Sequence, residues 1–320
     1  MSTTPSNDAL YYEKNLLYKA AWYYYMEGLT QQTIAEKLNI SRIRVLRLLE
    51  KARQEGVVQI QLNPDFAESL SSEQALINEY QLKDCYIIPT SGDKETTMES
   101  LAKTAAMYVS NHISDYNYIN FGYGATILKT LNHLAKSIST TISLVSLTGG
   151  INYYLPDTKS GLFSAKLNLY PAPLIMSSKE LAASLMQEPA LAEVSRMTEL
   201  ANLTLIGIGG MNTDSTILKS SHLTNNDYLL LKMQGAVGDL ITHFIDADGN
   251  LVNPDFDSRI ISTPLAKLEE LNNVVGVAAG EEKVEAISAA LKGHYLDVLI
   301  TDDYTAEQLI KKSSHSTQSK

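Results

Sequence analysis

Residues 38–51 constrain the fold of this chain more than any other stretch. They read LNISRIRVLRLLEK, a short turn followed by apolar residues that recur three and four positions apart. This spacing predicts a helix with one buried face, formed by Val45, Leu48, Leu49 and Ala52. Ser41 precedes the helix and is a predicted N-cap, because its hydroxyl can accept a hydrogen bond from a first-turn amide.

Three arginines of this helix, Arg42, Arg44 and Arg47, lie largely away from its apolar face. A guanidinium group offers a planar fork of donors, which suits phosphates and the edges of guanine bases. An arginine-bearing amphipathic helix is more often a solvated surface helix, so its function depends on the sequence around it.

The preceding sequence contains two more helical patterns. Residues 15–27 carry a periodic apolar face and end at Gly28, and Thr30 is a predicted N-cap for residues 31–38. This order is that of a helix-turn-helix domain, whose last helix enters the major groove of DNA. The predicted DNA contacts are Gln31, Gln32, Ser41, Arg42, Arg44 and Arg47.

Two features end this predicted domain. Residues 57–62 (VVQIQL) resemble an alternating strand and predict a small wing. Asn63-Pro64-Asp65 predicts a hinge, because proline cannot extend the preceding strand. We therefore expect a winged helix-turn-helix DNA-binding domain in residues 1–62 and an effector-binding and oligomerisation domain in residues 63–320.

The charge distribution supports this division. The chain has 26 Lys and Arg residues against 36 Asp and Glu, a net charge of −10, which argues against a protein that coats nucleic acid along its length. Residues 13–62 reverse the sign, with eight basic residues against five acidic ones. Positive charge is thus concentrated where DNA would bind.

The sequence also limits location and chemistry. Residues 1–11 lack a signal-peptide pattern, and no window of about 18 uninterrupted apolar residues follows, which predicts a cytoplasmic protein without a membrane partner. The single cysteine, Cys85, excludes an internal disulfide and is expected to be buried at the start of a strand. The histidines are scattered, so we expect no metal site and no cofactor.

From residue 84 onward, short β-rich runs alternate with helical patterns. The predicted strands are residues 85–88, 118–121, 142–147, 168–171, 203–208, 274–278 and 298–301. The predicted helices are residues 96–113, 126–137, 181–201, 283–292 and 305–311. This alternation predicts an α/β fold, a Rossmann-like, doubly wound and mostly parallel sheet with helices on both faces. Residues 238–253 differ, because a strand over 239–246 and the Asp248-Gly249 turn predict an inserted hairpin.

Ligands of doubly wound sheets bind beyond the carboxyl ends of the strands, where three loops are candidates. Residues 122–126 follow a strand and open a helix, so backbone amides could approach an anion and Thr126 could donate a hydrogen bond. The glycines of residues 207–210 follow another strand, and Lys283 could reach a phosphate. Tight strand-to-helix packing could equally explain the glycines, and Lys283 could be a solvated surface residue.

Six spaced motifs resemble those of the SorC/DeoR-type family of sugar-responsive transcriptional regulators. They are the helix-turn-helix, residues 122–126, Pro171-Ala172-Pro173-Leu174, Gly207-Ile208-Gly209, Gly235-Ala236-Val237-Gly238-Asp239, and Gly280-Glu281-Glu282-Lys283 with Ala286-Ile287. The resemblance covers residues 16–309. It implies a large domain similar to sugar-phosphate isomerases and deaminases, used to sense a phosphorylated sugar.

The same resemblance implies an effector site and a branch of the family. Asp239 would bond effector hydroxyls, and Lys283 would offset phosphate charge. The phosphate cradle would be formed by Gly122, Tyr123, Gly124, Ala125 and Thr126, and Gly209 would be a further effector-binding residue. The motifs look most similar to the branch that represses uptake of autoinducer-2 and responds to its phosphorylated form, although branches that sense pentitol or deoxysugar phosphates share much of the pattern. Leu46 replaces a residue that is usually small and polar, so a different operator sequence is expected.

The sequence thus predicts a repressor that binds a roughly palindromic operator as a homodimer or homotetramer and is released by a phosphorylated sugar-like effector. A helix over residues 66–80 could pack on the large domain or contribute to the dimer.

One alternative is a sugar-phosphate isomerase/deaminase-like enzyme with Asp239 as base. The sequence contains no nucleophile elbow, P-loop or metal-spaced histidine set, so no catalytic residue is predicted. His243 is interpreted as a core or rim histidine. A DNA-bound scaffold whose large domain only oligomerises is a third alternative.

Overall fold

The computed structural model describes residues 7–59, 64–113, 118–137, 142–150, 165–212, 215–219 and 223–317. The chain divides into two compact units, with the division between Ala67 and Glu68. Of the predicted hinge, Pro64 and Asp65 begin a helix, and Asn63 lies outside the described residues. The division between the units therefore falls within a helix rather than in a turn.

The described part of the first unit contains helices α1 (Asn7–Tyr25), α2 (Gln31–Leu38) and α3 (Arg42–Gln54). Thr30 and Ser41 cap α2 and α3, and each hydroxyl accepts a 3.2 Å hydrogen bond from the amide three residues later. The predicted apolar face of α3 is buried, together with Leu16, Leu17, Ala20, Ala21, Ile34 and Ala35. The helix-turn-helix prediction is confirmed. Helix α1 begins at Asn7, earlier than predicted. Its first turns were missed because residues 11–15 are exposed and carry no periodic apolar pattern.

The predicted wing is wrong in its described part. Residues 57–59 form no strand, and residues 60–62 lie outside the described residues. The amide of Val58 donates a 3.1 Å hydrogen bond to the Ala52 carbonyl, and the Val58 side chain packs on the core of the first unit. This segment therefore closes the end of α3 instead of pairing with a strand.

We expect Ser41→Ala to lower the free energy of unfolding of the first unit by about 1 kcal/mol, because the Arg44 amide would lose its acceptor. Ser41→Asn should cost little, since asparagine caps as well as serine. The single tryptophan of the chain, Trp22, lies in this unit, so urea unfolding followed by tryptophan fluorescence reports on it. Equal midpoints for Ser41→Ala and the wild type would contradict the capping role.

Helix α4 (Pro64–Tyr80) leads into the second unit. Its strands are β1 (Asp84–Ile88), β2 (Tyr118–Phe121), β3 (Ser143–Ser146), β4 (Lys166–Asn168), β5 (Leu203–Gly210), β6 (Gly238–Leu240), β7 (His243–Ile245), β8 (Val274–Val277) and β9 (Val298–Asp302). Its further helices are α5 (Lys94–His112), α6 (Ala125–Ser137), α7 (Lys179–Met186), α8 (Pro189–Glu199), α9 (Thr216–Lys219), α10 (Asn225–Met233), α11 (Pro254–Asp257), α12 (Val284–Lys292) and α13 (Asp303–Thr317). Leu265–Glu270 and Glu281–Lys283 form 3₁₀ turns.

The main sheet is parallel and doubly wound, as predicted. Its strand order is β1-β9-β8-β5-β2-β3-β4, and every neighbouring pair in this series runs parallel. From β2 the chain proceeds to β3 and β4 on one side, whereas from β5 it proceeds to β8 and β9 on the other. The order therefore reverses between β2 and β5. Strands β6 and β7 form an antiparallel hairpin on the end of β5.

Apolar side chains cover both faces of this sheet. Helices α5 and α6 contribute to one buried cluster, and α4, α12 and α13 contribute to the other. Cys85 is buried in the second cluster, as predicted. Among the described residues, no helix is both long and apolar enough to cross a membrane.

Several predicted elements differ from the observed ones. Residues 181–201 form two helices rather than one, because Pro189 starts α8. Strand β4 ends at Asn168 rather than Pro171, and the Tyr170 amide bonds to the Ser146 side chain instead of a strand carbonyl. The helix expected from Lys283 begins at Val284, after a 3₁₀ turn, and α9, α10 and α11 were not predicted.

The inserted hairpin also turns earlier than predicted. The strand expected over residues 239–246 reverses at Ile241 and Thr242, whose φ angles are 44° and 75°. Asp239 consequently pairs with Phe244. The predicted Asp248-Gly249 turn is present as a second reversal, in which the Gly249 amide bonds to the Asp246 carbonyl.

Candidate functional site

A cavity of about 370 Å³ lies at the carboxyl ends of β2 and β5. Because the chain leaves these two neighbouring strands in opposite directions, a crevice forms between the loops that follow them. The structure brings seven of the eight predicted effector residues together in its lining, namely Tyr123, Gly124, Ala125, Thr126, Gly209, Asp239 and Lys283.

Gly122 does not line the cavity. A Cβ atom built on it would lie 3.2 Å from Cγ2 of Ile241 and 3.6 Å from the backbone of Ile206. Glycine at position 122 therefore allows close packing of the β2 end against β5 and the hairpin, in agreement with the interpretation of this loop as a strand-to-helix packing feature.

The start of α6 forms one wall of the cavity. Gly124 has a φ of 125°, a conformation that favours glycine, and α6 begins at the next residue. The first amides of a helix have no acceptor within the helix and carry partial positive charge. This wall therefore suits an anionic group, and phosphate is the common biological example.

Asp239 contributes a buried carboxylate to the lining. Its carboxylate is buried and accepts hydrogen bonds from the Tyr123 hydroxyl at 3.4 Å and the Thr242 amide at 3.2 Å. Gly209 pairs with Asp239 across β5 and β6, and a Cβ atom on Gly209 would lie only 2.0 Å from Asp239 Oδ1. Glycine at position 209 thus makes room for the carboxylate.

A strained turn holds Asp239 in place. Ile241 and Thr242 are β-branched residues with positive φ, and such residues occupy this region at a cost of roughly 1–3 kcal/mol each. Both are buried, and the Ser262 hydroxyl donates a 2.8 Å hydrogen bond to the Ile241 carbonyl. Surrounding packing therefore enforces the turn that directs the Thr242 amide to Asp239.

Burial raises the pKa of the Asp239 carboxyl to about 6, although the Thr242 amide, the Lys283 charge and the Tyr123 hydroxyl favour ionisation. Between its ordinary pKa of 3.8 and about 6, the folded chain retains a proton that the unfolded chain releases. The protonated Asp239 carboxyl therefore stabilises the folded state relative to the ionised one. This stabilisation is complete below pH 3.8 and is lost as the pH rises through 6.

We expect Asp239→Asn to remove this pH dependence. The variant should gain stability over the wild type by about 3 kcal/mol as the pH rises from about 4 to about 7, since asparagine cannot ionise. Urea unfolding of the ligand-free protein at several pH values measures the difference. If the free energies of unfolding of the variant and the wild type differed by the same amount at every pH, burial would not raise the pKa of Asp239.

Two lysines, Lys283 and Lys94, line the cavity together with the Glu282 carboxylate. Lys283 is half-buried, and withdrawal from water lowers the pKa of its ammonium group, while the Glu282 and Asp239 carboxylates act in the opposite direction. Lys94, in the first turn of α5, forms an ion pair with Glu282. Lys283 and Lys94 thus bring two cationic side chains to the lining, and Glu282 balances one of them.

Five polar lining residues were not predicted, namely Lys94, Asn212, Ser215, Thr216 and Glu282. The Ser215 hydroxyl is buried and has no hydrogen-bond partner among the described residues. An unpaired buried hydroxyl costs stability, so a ligand oxygen could satisfy it. Only Glu282 belongs to a motif noted in the sequence; the others reach the cavity through folding of distant segments.

His243 does not line the cavity. Its ring is buried, with Nδ1 2.6 Å from Asp257 Oδ1 and Nε2 2.9 Å from the Thr263 carbonyl oxygen. It is a core histidine, one of the two interpretations from the sequence. No group of three His, Cys, Asp or Glu side chains in the described ranges could hold a metal ion.

The predicted DNA contacts lie on α2, α3 and their caps. Gln32 is exposed, and its amide donates a 2.9 Å hydrogen bond to Glu36, whereas Gln31 is half-buried. Arg42 and Arg47 are exposed on α3. Arg44 is also exposed but forms an ion pair with Glu13 of α1, so it also ties α3 to α1.

Two family models match this chain. The model described as "Putative sugar-binding domain" matches residues 64–311, and the model of sigma-70 region 4 matches residues 22–55. The first match contains every residue that lines the cavity, and the second contains α2 and α3.

Full-length relatives are similar over nearly the whole chain. The transcriptional regulator LsrR of Enterobacter sp. (strain 638) is 33% identical over 302 residues, covering 93% of each chain. LsrR of Escherichia coli (strain K12) is 34% identical over 303 residues, covering 93% of this chain and 95% of that one.

Solved structures show the same fold. The full-length sorbitol operon regulator SorC from Klebsiella pneumoniae has a TM-score of 0.67 at 26% identity, covering 93% of this chain and 98% of that one. A DeoR family transcriptional regulator from Listeria monocytogenes has a TM-score of 0.68 at 24% identity, covering 76% and 99%.

Proposed function

Because this chain belongs to the SorC/DeoR-type family of sugar-binding transcriptional regulators, we propose that a phosphorylated sugar-like effector releases it from its operator. The chain would act as a repressor, with α3 in the major groove and the effector in the cavity at the ends of β2 and β5. Residues 1–62 would carry DNA binding, and residues 63–320 would carry effector binding and oligomerisation.

The observation that carries this proposal is the polarity of the cavity. Its lining combines the amides at the α6 start with the side chains of Lys283 and Lys94, and it also contains the buried Asp239 carboxylate and Glu282, which pairs with Lys94. Phosphate favours the first environment, and sugar hydroxyls can donate to the second. The volume of about 370 Å³ falls in the range of small-molecule sites.

Two effector classes fit this chemistry. Phosphorylated autoinducer-2 is the first candidate, because the sequence motifs look most similar to the branch that responds to it, and the LsrR relatives agree with that branch. A pentitol or deoxysugar phosphate is the second candidate, since it also combines one phosphate with several hydroxyls.

Release would follow from a two-state equilibrium. A homodimer or homotetramer would present paired copies of α3 to the half-sites of a roughly palindromic operator. An effector that prefers an assembly with a different spacing of these helices would lower the operator affinity, at most by the ratio of the effector's affinities for the two assemblies.

A titration tests this function directly. The full-length protein is first used to select binding sequences from a pool of random duplexes, and the enriched duplex is then labelled for fluorescence anisotropy at fixed salt. We expect one phosphorylated sugar or phosphorylated autoinducer-2 to release the duplex, and the unphosphorylated counterpart to have no effect. If no sequence is enriched, or if no phosphorylated compound causes release, the proposal fails. Turnover of the compound in these samples would instead support the enzyme alternative.

A further inference from the structure

The outer face of α3 carries two large aliphatic side chains among charged ones. Ile43 and Leu46 are 65% and 46% exposed. Positions 43, 46, 47 and 50 follow the three-and-four spacing of a single helix face, opposite the buried stripe that contains Val45 and Leu48. Every other exposed residue from Arg42 to Gln54 is charged or is the terminal glutamine.

These side chains do not contribute to the core of the first unit. The core uses the opposite side of α3, and neither Ile43 nor Leu46 belongs to its buried or partly buried members. A single exposed aliphatic residue on a protein surface needs no explanation. Two on adjacent turns of one face, beside the exposed guanidinium groups of Arg42 and Arg47, form an apolar patch within a basic surface.

Their position selects the partner. Residues near the start of the second helix of a helix-turn-helix approach base edges in the major groove, and Ile43 and Leu46 lie in the first turn and a half of α3. Aliphatic side chains gain nothing from phosphates. Among the groups on the four base pairs, the thymine C5-methyl is the apolar one in the major groove.

We infer that Ile43 and Leu46 contact thymine methyl groups in the major groove and so determine the sequence preference of this protein. This inference rests on the proposed DNA-binding function. Arg47 follows Leu46 on the same face of α3 and would contact the adjoining guanine. Arg42, at the start of the helix, would contact phosphate. The preferred half-site should therefore contain thymines next to a guanine.

Replacing thymine by uracil tests the inference with the wild-type protein, because uracil lacks only the C5-methyl. The full-length protein and the duplex enriched from the random pool are used, with each thymine replaced in turn and the Kd measured by anisotropy at fixed salt. At one or two positions of each half-site, we expect a rise in Kd of about fourfold, the effect of one buried methyl.

Variants assign the methyl contacts to individual side chains. Ile43→Ala should raise the Kd for the thymine duplex. At the thymine that Ile43 contacts, replacement by uracil should then not raise the Kd of this variant further. Leu46→Ala should behave in the same way at a different thymine. Met26→Ala is the matched control, because Met26 is an exposed apolar residue of the same unit outside α3; it should keep the wild-type response to uracil.

Two outcomes overturn the inference, and they are distinguishable. If a specific duplex is enriched and uracil is neutral at every position in the wild type, methyl reading is wrong while DNA binding stands. If no duplex is enriched, the proposed function fails and the inference fails with it. Should a variant not fold, the uracil scan of the wild type still decides.

Discussion

Replacing Lys283 by glutamine is expected to lower the affinity for the releasing phosphorylated compound by roughly a hundredfold, while DNA binding without it stays unchanged. Hydrogen bonds to charged groups contribute about 1.5–3 kcal/mol, and Lys283 lines the cavity together with the first residues of α6. Folding should not suffer, because withdrawal from water already lowers the pKa of this lysine and disfavours its charge.

Lys292→Gln is the matched control for this prediction. Lys292 ends α12, whereas Lys283 immediately precedes that helix, and Lys292 pairs with Asp248 away from the cavity. Both changes remove one positive charge from the same part of the chain. Equal effector affinity for the two variants, measured by calorimetric titration, would remove Lys283 from the effector site.

Arg47→Ala is the second change with a large expected effect. A bidentate contact of arginine with guanine contributes about 1–3 kcal/mol, so operator affinity should fall by roughly ten- to a hundredfold for each protomer that contacts DNA. Arg47 is exposed on the outer face of α3. Effector binding should remain at the wild-type level, since the cavity lies in the second unit.

Arg196→Ala controls for the loss of charge. Arg196 is an exposed arginine of the second unit that pairs with Glu193. Its replacement should leave the operator affinity nearly unchanged at the same salt concentration. If Arg47→Ala and Arg196→Ala bind the operator equally well in anisotropy titrations, Arg47 does not contact a guanine of the operator.

Local patterns were sufficient to predict much of this structure. Helix α2 and strand β2 have the bounds expected from the sequence, and Ser41 caps α3 as predicted. In each case the determining residues are neighbours along the chain: a capping hydroxyl, an apolar period or a run of β-branched and aromatic residues. The glycine loops also marked the correct edge of the sheet.

Features that depend on distant contacts were not predictable. Ile241 and Thr242 form a tight turn against their own conformational preference, because buried contacts enforce it, so the sequence pattern indicated one continuous strand. The role of Gly209 follows only from its pairing with Asp239. Lys94 reaches the cavity because α5 packs beside the Glu282 segment, and no motif records that contact.

Thermal unfolding of the full-length protein in the presence of phosphorylated sugars, with phosphorylated autoinducer-2 included, tests the effector site most directly. A ligand that binds only the folded state adds about 2.7 kcal/mol at a hundredfold excess over its Kd, so the midpoint must rise. We expect one phosphorylated compound to raise the midpoint in the wild type and in Lys292→Gln, and its unphosphorylated form to cause no shift. The same concentration should stabilise Lys283→Gln by only about 0.4 kcal/mol, because a hundredfold weaker affinity leaves the ligand at its Kd. A panel without any shift, or an undiminished shift in Lys283→Gln, would contradict a phosphorylated effector in this cavity.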